Sequence, residues 1–179
     1  MGFFKDMLRK ANGQPTDSEI QQALLGLRDQ IHSLQAFALT LDAANDSSDD
    51  ISLFAFLRLD LLSFSLHIAS SDNVLEPEEV QAINVFLGMD MSYSEAKSMI
   101  EDLGLGSAAF NRTMPASFMM LTQLAKGAEA DAARFANSLI STYQNLGTVI
   151  ARIDGSFDSR EQTDLNNYID MLKRYARTL

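Results

Sequence analysis

The sequence lacks several residue types on which common catalytic and metal sites depend. It contains no cysteine, which excludes disulfide bonds, thiolate metal sites and cysteine nucleophiles. Its two histidines, His32 and His67, are far apart in the chain, and no serine lies in a nucleophile-elbow motif. These absences leave little for nucleophilic catalysis, so the sequence predicts that the protein is not an enzyme.

Basic residues and long apolar runs are also scarce. The chain has 14 lysines and arginines against 24 acidic residues, a formal net charge of −10, so nucleic acid is excluded as a partner. No segment reaches the ~18 apolar residues that a membrane-spanning helix needs. The N-terminal stretch is too short and too charged for a signal peptide. We therefore expect a cytoplasmic protein with no membrane span.

The sequence does contain helical periodicity along its whole length. Its 179 residues, 46% of them apolar, are enough for one good core. The pattern predicts an all-α protein of about eight helices in a single compact bundle, because no segment alternates as a strand would. Pro77 and Pro115 are placed to begin helices, and Gly104 to end one. A helix at about 51–71 is apolar around most of its circumference and must be largely buried.

A long helix is predicted at residues 17–45. Thr16 and Glu19 form a capping box, and apolar residues then follow in alternating steps of four and three, as in a coiled-coil seam. This seam can pack on the protein's own helices or form a homodimer, and packing within the chain is favoured. The domain prediction is an N-terminal helical extension at 1–50 and a helical domain at 51–179. The seam consists of Ile20, Leu24, Leu27, Ile31, Leu34, Ala38 and Leu41.

The most informative pattern is a motif that occurs twice, 82 residues apart. In both copies a helical apolar stretch leads to Ala-x-x-Asp, then Asn or Gly, then an apolar residue two positions further on, and then acid-x-x-Glu at the start of the next helix. The repeat predicts two related helical hairpins that make the core. Three acidic positions keep register between the copies: Asp72 with Asp154, Glu76 with Asp158, and Glu79 with Glu161.

Helix capping explains most of this motif. The second acid of each copy fits an N-cap, and the final glutamate fits the third helical position, from which a carboxylate reaches back to the cap amide. Asn73 and Gly155 fit the left-handed residue that ends a helix. Asp72 and Asp154 are not fully explained, because a carboxylate at a helix C-terminus opposes the helix dipole by ~0.3–1 kcal/mol. Either the amides of the following turn or a bound cation compensates, and oxygen ligands suit calcium, magnesium or manganese.

The second copy, Asp154-Gly-Ser-Phe157-Asp158-Ser-Arg-Glu161, resembles the signature of the TerB-like, tellurite-resistance family. The N-terminal Gly2-Phe3-Phe4-Lys5-Asp6 resembles the opening of TerB proteins. The resemblance implies an all-helical fold with pseudo-repeated halves, a cytoplasmic stress-response association, no established catalytic activity, and acidic residues that bind a divalent metal. The ligands it implies are Asp72, Glu76, Glu79, Asp154, Asp158 and Glu161. The first copy is the better metal candidate, because Arg152 and Arg160 can pair with the acids of the second.

Two functions are therefore predicted as alternatives. The first is a TerB-like stress-response module whose acidic hairpin loops bind a divalent metal. The second is a protein-binding adaptor without metal, in which the long helix or a methionine-rich surface engages a partner. The methionines are Met89, Met91, Met99, Met114, Met119 and Met120, and core filling is the simpler role for them.

A polar stripe interrupts the apolar helix at 51–71. It consists of Asp60, Ser63, His67 and Ser70, and it is expected to mark the narrow face that reaches solvent or a partner. For His67 itself, a satisfied core or boundary histidine is favoured over a ligand or a base.

Overall fold

A computed structural model describes residues 17–44, 52–128, 131–153 and 159–179 of the chain. Over these residues it contains seven α-helices, one short 3-10 turn (Phe110–Arg112) and no strand, which confirms the all-α prediction. None of the helices in these ranges is long and apolar enough to cross a membrane. The helices are α1 (Asp17–Ala44), α2 (Leu53–Ala69), α3 (Pro77–Leu87), α4 (Tyr93–Leu103), α5 (Ala116–Gly127), α6 (Ala132–Ile150) and α7 (Ser159–Ala176).

The central element of the fold is α2, which packs against each of the other six helices. Its C-terminal half, from Leu61 onward, is buried on every side, as its apolar circumference predicts. The buried residues of the surrounding helices join it in one hydrophobic cluster. The polar groups of α2 must therefore find their partners inside the protein.

The coiled-coil seam of α1 packs against other helices of the same chain. Leu27, Ile31 and Ala38 are buried, and α1 packs against α2, α3 and α6. A homodimer through this helix stays a prediction, and it would have to use a face other than the buried seam. The capping residue Thr16 and the predicted domain boundary at residue 50 lie outside the described residues.

The first turn of α2 is capped by a carboxylate from α1. Asp42 accepts hydrogen bonds from the amides of Leu53 (2.7 Å) and Phe54 (2.9 Å) and from the hydroxyl of Ser52 (2.6 Å). Ser52 in turn caps the amide of Ala55 at 3.1 Å. Three amides that have no partner within the helix are thereby satisfied. The pKa of Asp42 is lowered: burial raises it, but the bonds from Ser52, Phe54 and Leu53 outweigh that effect.

The sequence signals at the ends of α3 and α4 are confirmed. Pro77 is the first residue of α3. At the start of α4, Ser92 accepts the amide of Glu95 at 3.2 Å, while Glu95 accepts the amide of Ser92 at 2.7 Å. Gly104 ends α4 with a φ of 61°, a left-handed conformation that glycine adopts without strain.

Candidate functional site

The loop of the first motif satisfies its polar atoms locally. The Oδ1 atom of Asp72 accepts the amide of Val74 at 2.8 Å, and Asn73 has a φ of 73°. This arrangement is an Asx-turn, in which a side-chain oxygen takes the place of a backbone acceptor. The Asp72 carboxylate therefore has the local partner that the turn explanation requires.

The left-handed residue does not stand directly after the helix. The helix α2 ends at Ala69, earlier than the sequence predicts, and two serines follow it. The Ser70 hydroxyl donates to the carbonyl of Leu66 at 2.7 Å, and the Ser71 hydroxyl donates to that of His67 at 2.9 Å. These bonds satisfy carbonyls of the last turn, so the helix can end before Asn73.

The second half of the first motif acts as a helix start. Glu76 is the N-cap of α3, and the Oε2 atom of Glu79 accepts its amide at 2.8 Å. Glu79 is only 3% exposed. A carboxylate in the first turn of a helix is favoured by the helix dipole, which offsets part of the cost of burial. Glu79 thus has the capping role that the sequence predicts.

The described end of the second copy contacts the loop of the first. Nη1 of Arg160, in the first turn of α7, donates to the carbonyl oxygen of Asp72 at 3.3 Å. This contact brings a positive charge to the C-terminal end of α2, where the Asp72 carboxylate opposes the helix dipole. Glu161 is 5% exposed, so the glutamates that correspond in the two copies are both buried. Arg160 thus compensates part of the charge at the end of α2.

The acids of the first motif do not make a metal centre on their own. Among the described residues, no three His, Asp or Glu side chains lie close enough together to hold a metal ion. All three acids of the first motif are in that part of the chain. Asp154 and Asp158 of the second motif lie outside it. Ligation of a cation by acids of both copies therefore stays a prediction.

The polar stripe of α2 faces the interior of the protein. Ser63, His67 and Ser70 are 8%, 0% and 7% exposed, so the prediction of a face toward solvent or a partner is wrong for these three, whereas Asp60 is half-buried. The covering segments are the connection between α4 and α5 and the start of α5 itself. The hydrogen bonds that join them to α2 span 39 and 57 residues, and no local pattern indicates that they fold back over it.

The Asp60 carboxylate caps α5 from within α2. Its Oδ2 atom accepts the Ser117 amide at 2.7 Å and the Ser117 hydroxyl at 2.6 Å. The N-cap of α5 is Pro115, whose side chain has no oxygen to offer these donors. Burial raises the pKa of Asp60, and the two hydrogen bonds from Ser117 act in the opposite direction.

Two tyrosines lie in the core beside this cap. The hydroxyl of Tyr143 is buried and has no hydrogen-bond partner among the described residues. Burial and the Asp60 charge raise the pKa of Tyr143, and burial together with Tyr143 and Asp60 raises the pKa of Tyr168. Both rings pack on Phe64, with centroid distances of 5.1 Å and 4.7 Å. The phenols therefore stay protonated and serve as packing groups.

His67 holds the connection between α4 and α5 in place. Its Nδ1 atom lies 3.1 Å from the amide of Gly106, which must donate to it. Nε2 lies 3.0 Å from Oδ1 of Asn111, and Nδ2 of Asn111 donates to Asp164 at 2.7 Å. The network therefore requires the Nε2–H tautomer of a neutral imidazole. The favoured prediction of a satisfied core histidine is confirmed, whereas Asn111 and Asp164 carry no signal in the sequence.

This network makes stability depend on pH. Burial lowers the pKa of His67 below 6.5, although Asn111 and Asp164 act to raise it. The folded state then binds fewer protons than the unfolded state, so the stability contributed by His67 is lost as the pH falls below 6.5. We expect urea unfolding to give a lower free energy at pH 5 than at pH 7.5.

The contribution of His67 is isolated with a variant that cannot titrate. His67→Gln should show a smaller difference between the two pH values, whereas His32→Gln, at an exposed position of α1, should keep the wild-type difference. The pKa of Asp60 is raised, so the stability that Asp60 contributes falls as the pH rises above 3.8, which is the opposite trend to that of His67. All three proteins contain Asp60, so comparing them removes its effect. Equal pH differences in all three proteins would show that His67 does not carry the linkage.

Comparison of the chain with models of known families, with curated proteins and with solved structures gives no significant match. The described residues define an all-α protein built around one central helix. Its polar groups mainly cap helices and fasten loops.

Proposed function

We propose that this chain is a non-enzymatic binding module that docks a protein partner on the outer face of α5. The single observation that carries the proposal is the exposure of three large apolar side chains on this helix. Met119, Met120 and Leu124 are 38%, 37% and 49% exposed. At about 100° per residue, they span an arc of about 140° on the helix surface.

The core contacts of α5 come from the opposite side of the helix. Phe118 and Leu121 on the opposite side are each 1% exposed and fix α5 to the core. An amphipathic helix in contact with water normally carries polar residues on its outer face. Flexible methionine side chains adapt to differently shaped partners, so this face suits a partner helix with an apolar stripe.

The other members of the methionine set support this division of roles. Met91 is 9% exposed, and Met89, Met99 and Met114 are partly buried against the core. Core filling accounts for these four. The exposed pair on α5 is left for contact with another molecule. The seam residues Leu27, Ile31 and Ala38 of α1 are buried, so a partner of α1 would have to bind another face of that helix.

The test is quantitative affinity capture with two matched triple variants. The first replaces Met119, Met120 and Leu124 with glutamine, and the second replaces Leu25, Leu39 and Val85, which are 48%, 50% and 47% exposed elsewhere. We expect partners retained by the wild type to be retained by the second variant and reduced at least about tenfold by the first. Both variants should melt close to the wild-type temperature, because exposed substitutions change stability little. Equal recovery with both variants would contradict the proposal.

A second candidate function is divalent-cation binding of the TerB-like kind. The observation that favours it is the Arg160 contact, which places the start of the second motif's helix against the loop of the first. Carboxylates from both copies would then have to form one oxygen-rich site, and neither motif would suffice alone. The Asx-turn at Asp72 and the buried capping role of Glu79 weigh against it, because both carboxylates already have protein donors.

Thermal-shift titration with calcium, magnesium and manganese separates the two functions. A joint site predicts a rise in melting temperature that saturates with metal and is lost in both Asp72→Asn and Asp154→Asn. Glu78→Gln, next to the motif but outside the implied ligand set, serves as the control. An unchanged melting temperature of the wild type with all three metals would rule out the cation site.

A further inference from the structure

We propose that Met119 and Met120 form a reversible oxidation site, and that their conversion to methionine sulfoxide releases a partner from the outer face of α5. This inference rests on the docking role proposed above for that face. Seven methionines lie in the part of the chain that the structure describes. Met119 and Met120 are the most exposed of these, at 38% and 37%.

The sulfur chemistry of the chain belongs to methionine alone. The sequence contains nine methionines and no cysteine, so no thiolate competes for a mild oxidant. A peroxide that reaches the folded protein therefore acts on thioether sulfur. The exposure of each methionine then decides which one reacts first.

The hydrophobic core shields the other methionines of the described residues. Met91 and Met171 are 9% and 8% exposed and belong to the central hydrophobic cluster. Three more are partly buried and pack against that cluster: Met89, Met99 and Met114. A peroxide should therefore oxidise the α5 pair before it reaches the methionines whose modification would disturb the core.

The modification is a two-electron oxidation of the side-chain sulfur. The thioether sulfur attacks one oxygen of hydrogen peroxide, so an S–O bond forms and the O–O bond breaks. The proton of the transferred hydroxyl passes to the departing hydroxide, which leaves as water. The sulfur is oxidised to the sulfoxide and the peroxide is reduced. Methionine sulfoxide reductases, one for each sulfoxide epimer, reverse the step with a dithiol as the electron donor.

Oxidation would change the docking face and leave the core contacts of α5 intact. Each sulfoxide places a polar oxygen on an apolar surface. Met119 and Met120 lie about 100° apart on the helix, so both oxygens fall within the docking face. The apolar stripe of a partner helix offers no donor to these oxygens, and burial of an acceptor without a donor is unfavourable. Phe118 and Leu121, which fix α5 to the core, contain no sulfur.

The order of oxidation is measured on the full chain with hydrogen peroxide. Peptide mapping by mass spectrometry follows each methionine over time. We expect Met119 and Met120 to be oxidised at least about fivefold faster than Met91 and Met171. In protein unfolded with urea, the same four residues should react at similar rates, because the fold no longer shields any of them. Equal rates in the folded protein would overturn the proposal.

The effect on docking is measured with a defined probe and a matched variant. The probe is a fluorescent 18-residue peptide of leucine and glutamine, whose leucines form one stripe of an amphipathic helix. Fluorescence anisotropy should show that peroxide weakens probe binding to the wild type at least about tenfold, and that the two reductases restore it. Circular dichroism should show an unchanged helix content.

The double variant Met119→Leu, Met120→Leu isolates the pair. It keeps an apolar face and the other seven methionines of the chain, but it has no sulfur on the outer face of α5. It should bind the probe equally well before and after peroxide treatment. An equal loss of binding in the wild type and the double variant would assign the effect to other methionines and reject the proposal.

Hydrophobic-interaction chromatography separates this proposal from the docking proposal, because it requires no partner. Peroxide should shorten the retention of the wild type but not that of the double variant, and unchanged retention of the wild type would reject the oxidation site. Absence of probe binding to the untreated wild type, or full partner capture by the α5 glutamine variant, would contradict the docking face itself. If that variant loses its partners while peroxide spares Met119 and Met120, only the oxidation proposal fails.

Discussion

Replacement of Gly147 with alanine is expected to lower the free energy of unfolding by about 1–3 kcal/mol. A Cβ atom at this position in α6 would lie 2.5 Å from Cδ1 of Leu165 and 2.9 Å from Cζ of Phe64. Leu165 can rotate, but the Phe64 ring is held between Tyr143 and Tyr168 and cannot move away easily. The cost of overpacking should therefore exceed the usual benefit of alanine in a helix.

Gly26 in α1 provides the matched control. A Cβ atom there meets no other atom within 4 Å, so Gly26→Ala should stabilise the protein by about 0.5–1 kcal/mol. Chemical denaturation of the two variants should thus give changes of opposite sign. Leu165→Ala should cost less in the Gly147→Ala background than in the wild type, because it relieves the contact with the new Cβ atom. If both glycine variants were stabilised equally, the close approach of α6 to α2 and α7 would not constrain this position.

Removal of the Asp60 carboxylate is expected to cost about 2–3 kcal/mol. In Asp60→Ala, the Ser117 amide and hydroxyl both lose their charged acceptor, and Pro115 cannot replace it. Urea unfolding measures the total loss. Hydrogen exchange should show the first turn of α5 opening before the rest of that helix.

Two further variants show whether the loss comes from this cap. Ser117→Ala and the double variant complete a cycle, and the double variant should lose less than the sum of the single ones, because both remove the same interaction. Asp131→Ala removes an ordinary cap within α6, the bond to the Arg134 amide at 2.8 Å, and should cost only about 1 kcal/mol. An additive cycle would indicate that Asp60 acts independently of Ser117.

The helices themselves were predictable because their signals are local. Pro77, Ser92 with Glu95, and Gly104 each set a helix end through contacts within four residues, and the structure places them as predicted. The capping role of Glu79 was predictable for the same reason. Periodicity also identified the buried central helix, since its apolar residues leave no wide polar face.

The roles of the α2 polar stripe were not predictable because their partners are distant in the chain. Asp60 appears as a polar break in an apolar helix, and only the fold brings the start of α5 to it. The same holds for His67, whose hydrogen bonds to Gly106 and Asn111 cross 39 and 44 residues. A polar residue on a buried helix predicts that a partner exists, but the sequence does not identify the partner.

The Asp42 cap has a consequence for any shortened form of the protein. A chain that began at residue 51 would retain every residue of α2 but would leave the amides of Leu53 and Phe54 without their acceptor. It would also uncover the surface of α2 against which α1 packs. The smallest fragment able to fold on its own should therefore begin before α1.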